Sequence, residues 1–193
     1  MEWRPTQTGA VAAKTLKRDH VDEMLDVWER EIPDLDRTTE GIIERIQILA
    51  WNFNQSLDET LQELELDRRS FHLLGKLRKY GAPYRTSAGK LAADLRLSSG
   101  AMTNRLDRME AAGLIRRLAD PNDRRGTIVE PTDLGLQLWD KAVGTAARNE
   151  TALTSVLGAS DRERLHDLLR ELMATFPDWK QKKQPHPPGD AEE

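Results

Sequence analysis

The sequence predicts a mainly α-helical fold carrying one small β-hairpin. Apolar residues recur at helical spacing through most of the 193 residues. Only two short runs read as β, LIRRL at 114–118 and TIVEP at 127–131, and the turn-forming DPNDRRG lies between them. The helical runs are separated by capping residues, Gly and Pro rather than by long polar loops.

The first run, from about Lys14 to Ile32, places Val21, Leu25, Trp28 and Ile32 on one face and stops near Pro33. A second, from Thr39 to about Leu66, carries Ile42, Ile46, Leu49, Phe53, Leu57, Leu61 and Leu64 on one stripe and is long enough to serve as a scaffold. Asp67 can cap a third helix bearing Phe71, Leu74 and Leu77, which ends at Gly81-Ala82-Pro83. Thr86 and Ser87 offer new caps. The segments TSAGKLAADLRL and SSGAMTNRLDRMEAAG then read as two short helices joined at Ser98-Ser99, the spacing of a helix-turn-helix. After the hairpin, Thr132 opens a helix to about Leu157, and Ser160 with Glu163 suggests a capping box for a last one carrying Leu165, Leu168, Leu169 and Leu172. Beyond Pro177 the proline-rich, polar tail is expected to be disordered. The expected organisation is an N-terminal extension over 1–38, a folded region over 39–176 and a tail over 177–193.

A chain 38% hydrophobic can bury one core. No basic-then-apolar leader and no run of roughly 18 apolar residues is present, which points to a cytoplasmic protein without a membrane partner. The absence of cysteine removes disulfides, thiol nucleophiles and cysteine-based metal sites. His20, His72, His166 and His186 are scattered, and no nucleophile motif, carboxylate pair, phosphate loop or metal spacing appears, so neither an enzyme nor a metal or cofactor is expected. The net charge of −4 is unevenly spread: residues 19–40 sum to −7, whereas 96–125, with seven arginines, sum to +3. That local basic surface keeps nucleic acid available as a partner.

Two short helices, a hairpin and long flanking helices together make a winged helix-turn-helix, in which the second helix enters the major groove of double-stranded DNA and the hairpin reaches beside it. On that helix Met102, Leu106 and Met109 share one face, and Gly100, Thr103, Asn104 and Asp107 the other. Thr103 and Asn104 suit base edges or phosphates, Gly100 a close backbone approach, and Ser98 and Ser99 phosphate contacts. The same residues also suit a plain N-cap followed by a solvated face. At the hairpin tip, Asp123-Arg124-Arg125-Gly126 offers two guanidinium groups to the minor groove, or to solvent. Arg105 projects about 60° from the apolar axis of its helix. It needs a partner, either Asp107, Glu110 or a residue of another helix, or a buried anion.

The segment SSGAMTNRLDRMEAAGLIRRLADPNDRRGTIVEPTDLG resembles the signature of the MarR family of transcription factors, and the resemblance extends over roughly residues 40–175. It implies a homodimer built from N- and C-terminal helices on a pseudo-palindromic operator, with Arg125 in the minor groove, Asp123 bracing the wing and Arg124 at a more variable position. Pro131 stands where the family usually has leucine. VWEREIPDLDR further resembles the extra helix of the PecS-like branch, whose best-known effector is urate. There a Trp of the extra helix, an acid of the next core helix and two Arg surround the ligand; Trp28, Arg105 and Arg117 match, while the acidic position falls on His72. Two Arg, an indole N–H and a titratable His suit a tricarboxylate better than a purine. This agrees with a resemblance to TamR-like regulators, which answer to trans-aconitate, cis-aconitate and citrate. The expectation is a repressor released by a small anionic effector. The alternatives are urate, or a DNA-binding or protein-interaction module without effector. His72 also reads as a solvated residue off the Phe71/Leu74 stripe, and Trp28 as a core or interface aromatic.

Overall fold

The computed structural model describes residues 17–121 and 123–174. The predicted tail and the first residues of the predicted first helix lie outside that range. The chain divides into two compact units, 1–55 and 56–193.

In the first unit, helix α1 (His20–Glu31) begins later than apolar periodicity suggests, because Asp19 caps it. The Asp19 carboxylate accepts the N–H groups of Val21 and Asp22 at 3.0 and 3.1 Å, and the Asp22 carboxylate accepts the N–H of Asp19 at 3.0 Å. Val21 and Leu25 are the buried residues of α1. They are held beside the start of α2 (Arg37–Glu63) by charge as well as packing. Arg45 reaches Asp19 and Asp22, each at 2.9 Å, and Arg37 reaches Asp26 at 2.9 Å and Glu29 at 2.6 Å. Hydrogen bonding from Arg45 lowers the Asp19 pKa to about 2.

In the second unit, α3 (Arg68–Arg78) starts at the Asp67 cap, whose carboxylate accepts the Ser70 N–H at 2.9 Å. There follow β1 (Thr86–Ser87), α4 (Ala88–Leu95), α5 (Ser99–Ala111), β2 (Ile115–Asp120), β3 (Asp123–Pro131), α6 (Asp133–Thr154) and α7 (Ala159–Ala174). The β2–β3 hairpin gains a third strand. β1 pairs antiparallel with β3, Thr86 opposite Val129, in the order β1-β3-β2. Thr86 is therefore a strand residue, and Ser87 alone caps α4, accepting the Lys90 N–H at 3.2 Å.

The core of this unit gathers Leu61 and Leu66, Leu73, Leu74 and Leu77 of α3, Leu91 of α4, the α5 face and Val129 of β3. Two glycines fix how α5 passes into the sheet. Gly113, at φ +70°, reverses the chain after α5, and the Leu114 N–H returns to the Met109 carbonyl at 2.9 Å. Gly135 packs so closely that a Cβ there would lie 2.1 Å from the Leu114 carbonyl oxygen. Pro131 closes β3 opposite Ile115, and the missing N–H is not needed because Thr132 supplies the next bond, to Leu114 O at 3.0 Å.

α6 ends three residues short of Leu157, and α7 begins at Ala159, so Ser160 lies in its first turn instead of capping it. α7 buries none of its residues: Leu165, Leu168, Leu169 and Leu172 are each at least 40% exposed.

Candidate nucleic-acid interface

α4 and α5 are joined through Arg96, whose left-handed backbone (φ 54°) turns the chain while the Leu97 N–H bonds back to Ala92 O at 2.9 Å. Ser98 caps α5 by accepting the Ala101 N–H at 3.2 Å. Burial of Met102, Leu106 and Met109 to 3% exposure or less fixes the rotation of α5. Ser99, Gly100, Thr103, Asn104, Asp107 and Arg108 consequently face solvent. The Thr103 hydroxyl donates to Ser99 O at 3.0 Å, which leaves its lone pairs free to accept. A Cβ on Gly100 would meet nothing within 4 Å, so no neighbour inside the fold requires glycine there. No acid occupies the first turn of α5, so its exposed N-terminal N–H groups can receive an anion.

The wing is the β2–β3 hairpin, with an irregularity between Ala119 and Asp120 and with Asp120 opposite Asp123 across the turn. Arg124 and Arg125 follow directly in β3. Gly126 is required by the turn, since a Cβ there would come within 2.8 Å of Asp120 Cβ and 3.1 Å of Asp123 Cβ. Arg116 of β2 pairs with Glu130 of β3, which is 7% exposed, so the hairpin is cross-braced near its base.

Arg117 ties the wing to α5. Its guanidinium pairs with the Asp107 carboxylate, its Nε lies 3.5 Å from Glu110 Oε2, and its backbone N–H donates to Glu110 Oε1 at 2.9 Å. The buried Nε makes no hydrogen bond in this arrangement. The two acids that sequence reading offered to Arg105 are thus engaged by Arg117. Arg105 is half-buried and engaged within the protein. His72 is exposed on α3, with its ring 5.9 Å from that of Phe71. Trp28, 47% exposed, belongs to the first unit, and the other three belong to the second.

Sequence reading overlooked two exposed cations before and within α4, Arg85 and Lys90. Lys90 sits in the first helical turn, where the helix dipole disfavours positive charge, and its ammonium lies 5.0 Å over the Tyr80 ring. Tyr80 in turn donates to Asp94, and burial together with that carboxylate pushes its hydroxyl up to about 12. A lysine three residues past the Ser87 cap was the available signal.

The family model described as "MarR family" matches residues 66–127, which span α3 through the wing tip. The regulator PecS of Dickeya dadantii is 31% identical over 149 residues, covering 77% of this chain and 90% of that protein. The YusO protein of Bacillus subtilis aligns structurally with a TM-score of 0.65 at 19% identity, over 73% of this chain and 98% of its own. A mutant MarR of Escherichia coli complexed with operator DNA aligns with a TM-score of 0.52 at 25% identity, over 76% of this chain and 98% of its own. Among the described residues no helix is long and apolar enough to cross a membrane.

Proposed function

This chain belongs to the MarR family, and we propose that it is a cytoplasmic transcriptional regulator that binds a pseudo-palindromic operator as a homodimer and is released by a small anionic effector. The observation that carries the DNA reading is the solvent-facing polar surface of α5 beside an arginine-bearing hairpin, the geometry of a winged helix-turn-helix. In this reading Ser98, Ser99 and the α5 N-terminus take phosphates, Thr103 and Asn104 read base edges across the gap left by Gly100, and Arg124 and Arg125 follow the minor groove, with Asp123 bracing the turn. Arg85 and Lys90 add phosphate contacts at α4. The homodimer reading rests on α7, whose leucines need a cover, and on the exposed stripe Ile42, Ile46 and Leu49 of α2.

The effector reading rests on Arg117 and on the family pattern of Trp28, His72 and Arg105. A polycarboxylate at Arg117 competes with Asp107 and Glu110 for the same guanidinium. Winning that competition releases the wing from α5, and a ligand that prefers the released arrangement lowers operator affinity. A tricarboxylate such as citrate or trans-aconitate fits two arginines and a titratable histidine; urate is the second reading.

The test is an electrophoretic mobility shift on the upstream intergenic duplex at fixed pH and salt, with citrate, trans-aconitate and urate titrated separately. Release by the tricarboxylates alone supports the reading, and release by urate alone replaces the effector. A specific complex indifferent to all three leaves a DNA-binding protein without this effector class. Leu168→Glu with Leu172→Glu should convert the dimer to monomer in sedimentation.

A further inference from the structure

Within the first unit, α1 and the start of α2 enclose an open groove of about 310 Å³, lined by Met24, Trp28, Ile32 and Leu35 on one side and by Glu40 and Glu44 on the other. That volume lies at the lower end of what small-molecule sites occupy, and the lining combines apolar and aromatic side chains with two glutamates, Glu40 exposed and Glu44 half-buried. Among the described residues neither Glu40 nor Glu44 has an ion-pair partner. The nearby arginines are engaged elsewhere: Arg18 by Asp26, Arg37 by Asp26 and Glu29, and Arg45 by Asp19 and Asp22. Carboxylates one helical turn apart repel each other, and a cation between them relieves the repulsion. The Trp28 ring, 47% exposed, supplies an aromatic face of the kind that attracts ammonium groups.

We propose that this groove binds a small organic cation with an apolar body, of the alkyl- or arylammonium class. The ammonium sits between Glu40 and Glu44, and the apolar body lies along Met24, Trp28, Ile32 and Leu35. On a helical projection Glu40 and Glu44 lie about 180° around α2 from the stripe of Ile42, Ile46 and Leu49. Covering that stripe with a second copy therefore does not by itself cover this face of α2. Trp28 is shared with the anionic-effector reading, but the two carboxylates are not, so a test read on Glu40 and Glu44 stands or falls separately from it.

The experiment is calorimetric titration of the full chain with octyltrimethylammonium below its micelle concentration, against octyl sulfate and octanol. The cation should bind at least tenfold more tightly than the sulfate. Glu40→Gln with Glu44→Gln should weaken the cation tenfold or more while leaving octanol affinity and melting temperature unchanged. Equal affinity for cation and sulfate, an unaffected double variant, or no binding at all overturns the proposal.

Discussion

The guanidinium of Arg117, on the first strand of the wing, is held by the Asp107 carboxylate of α5. The proposed recognition helix and the wing are thereby clamped to each other, with Glu110 as a second acceptor. The Arg117 side chain is only 25% exposed, so screening of the pair by water is incomplete.

If that clamp is what an anionic effector opens, weakening it should make the effector's work easier. Asp107→Asn with Glu110→Gln keeps the Arg117 charge and frees it. The effector concentration that halves DNA binding should then fall by about threefold to tenfold. Arg117→Met should abolish the response. An unchanged half-point in the double variant means that Arg117 is only a structural brace.

Contacts to DNA separate by their salt dependence. Arg125→Ala should weaken binding to specific and unrelated duplexes alike, and should reduce the log–log salt slope by about 1. Asn104→Ala should leave the slope unchanged while costing about 1–3 kcal/mol at one base pair of the operator. Equal losses on all duplexes for Asn104→Ala would assign it to a phosphate.

Three glycines should respond differently to the same substitution. Gly135→Ala drives a Cβ to 2.1 Å from a backbone carbonyl and should cost about 3 kcal/mol or more, read in thermal unfolding. Gly113→Ala, at φ +70°, should cost about 1 kcal/mol. Gly100→Ala has open space and should stabilise α5 slightly, by up to about 1 kcal/mol, while lowering operator affinity. Retained operator affinity in Gly100→Ala would remove the close backbone approach from the DNA reading.

Acid should detach α1 before it unfolds the second unit. The Asp19 pKa is lowered to about 2, chiefly by hydrogen bonding from Arg45, and Asp22 and Asp26 are lowered in the same direction, Asp22 first by the Asp19 N–H and Asp26 first by Arg37. A carboxylate depressed in the folded state contributes fully above its unfolded pKa of about 4, and the contribution disappears as pH falls towards 2. Hydrogen-exchange protection across residues 20–31, taken relative to the intrinsic rate at each pH, should therefore fall between pH 4 and 2, and high salt at neutral pH should act in the same direction. Arg45→Met should show fast exchange at neutral pH already. Protection of α1 independent of pH and of Arg45 would mean that Val21 and Leu25 alone hold it.

Local chemistry made much of this molecule legible in the linear chain. Asp67, Ser87, Ser98 and Thr132 cap the helices they precede, because capping needs only a short side chain and an N–H three residues on. The buried face of α5 follows from the spacing of Met102, Leu106 and Met109, and the hairpin follows from two short β runs around a turn. What the tertiary structure decided involves partners distant in sequence. β1 is too short to have a periodicity and exists only because β3 offers Ile128 and Val129 to pair with it. Arg117 meets Asp107 only once Gly113 has folded β2 back beside α5. Where α1 begins was settled by Asp19, which caps the helix and is held by Arg45 of α2, a residue that apolar spacing does not see. Periodicity reports which face is buried; which charge meets which is fixed only when the chain is folded.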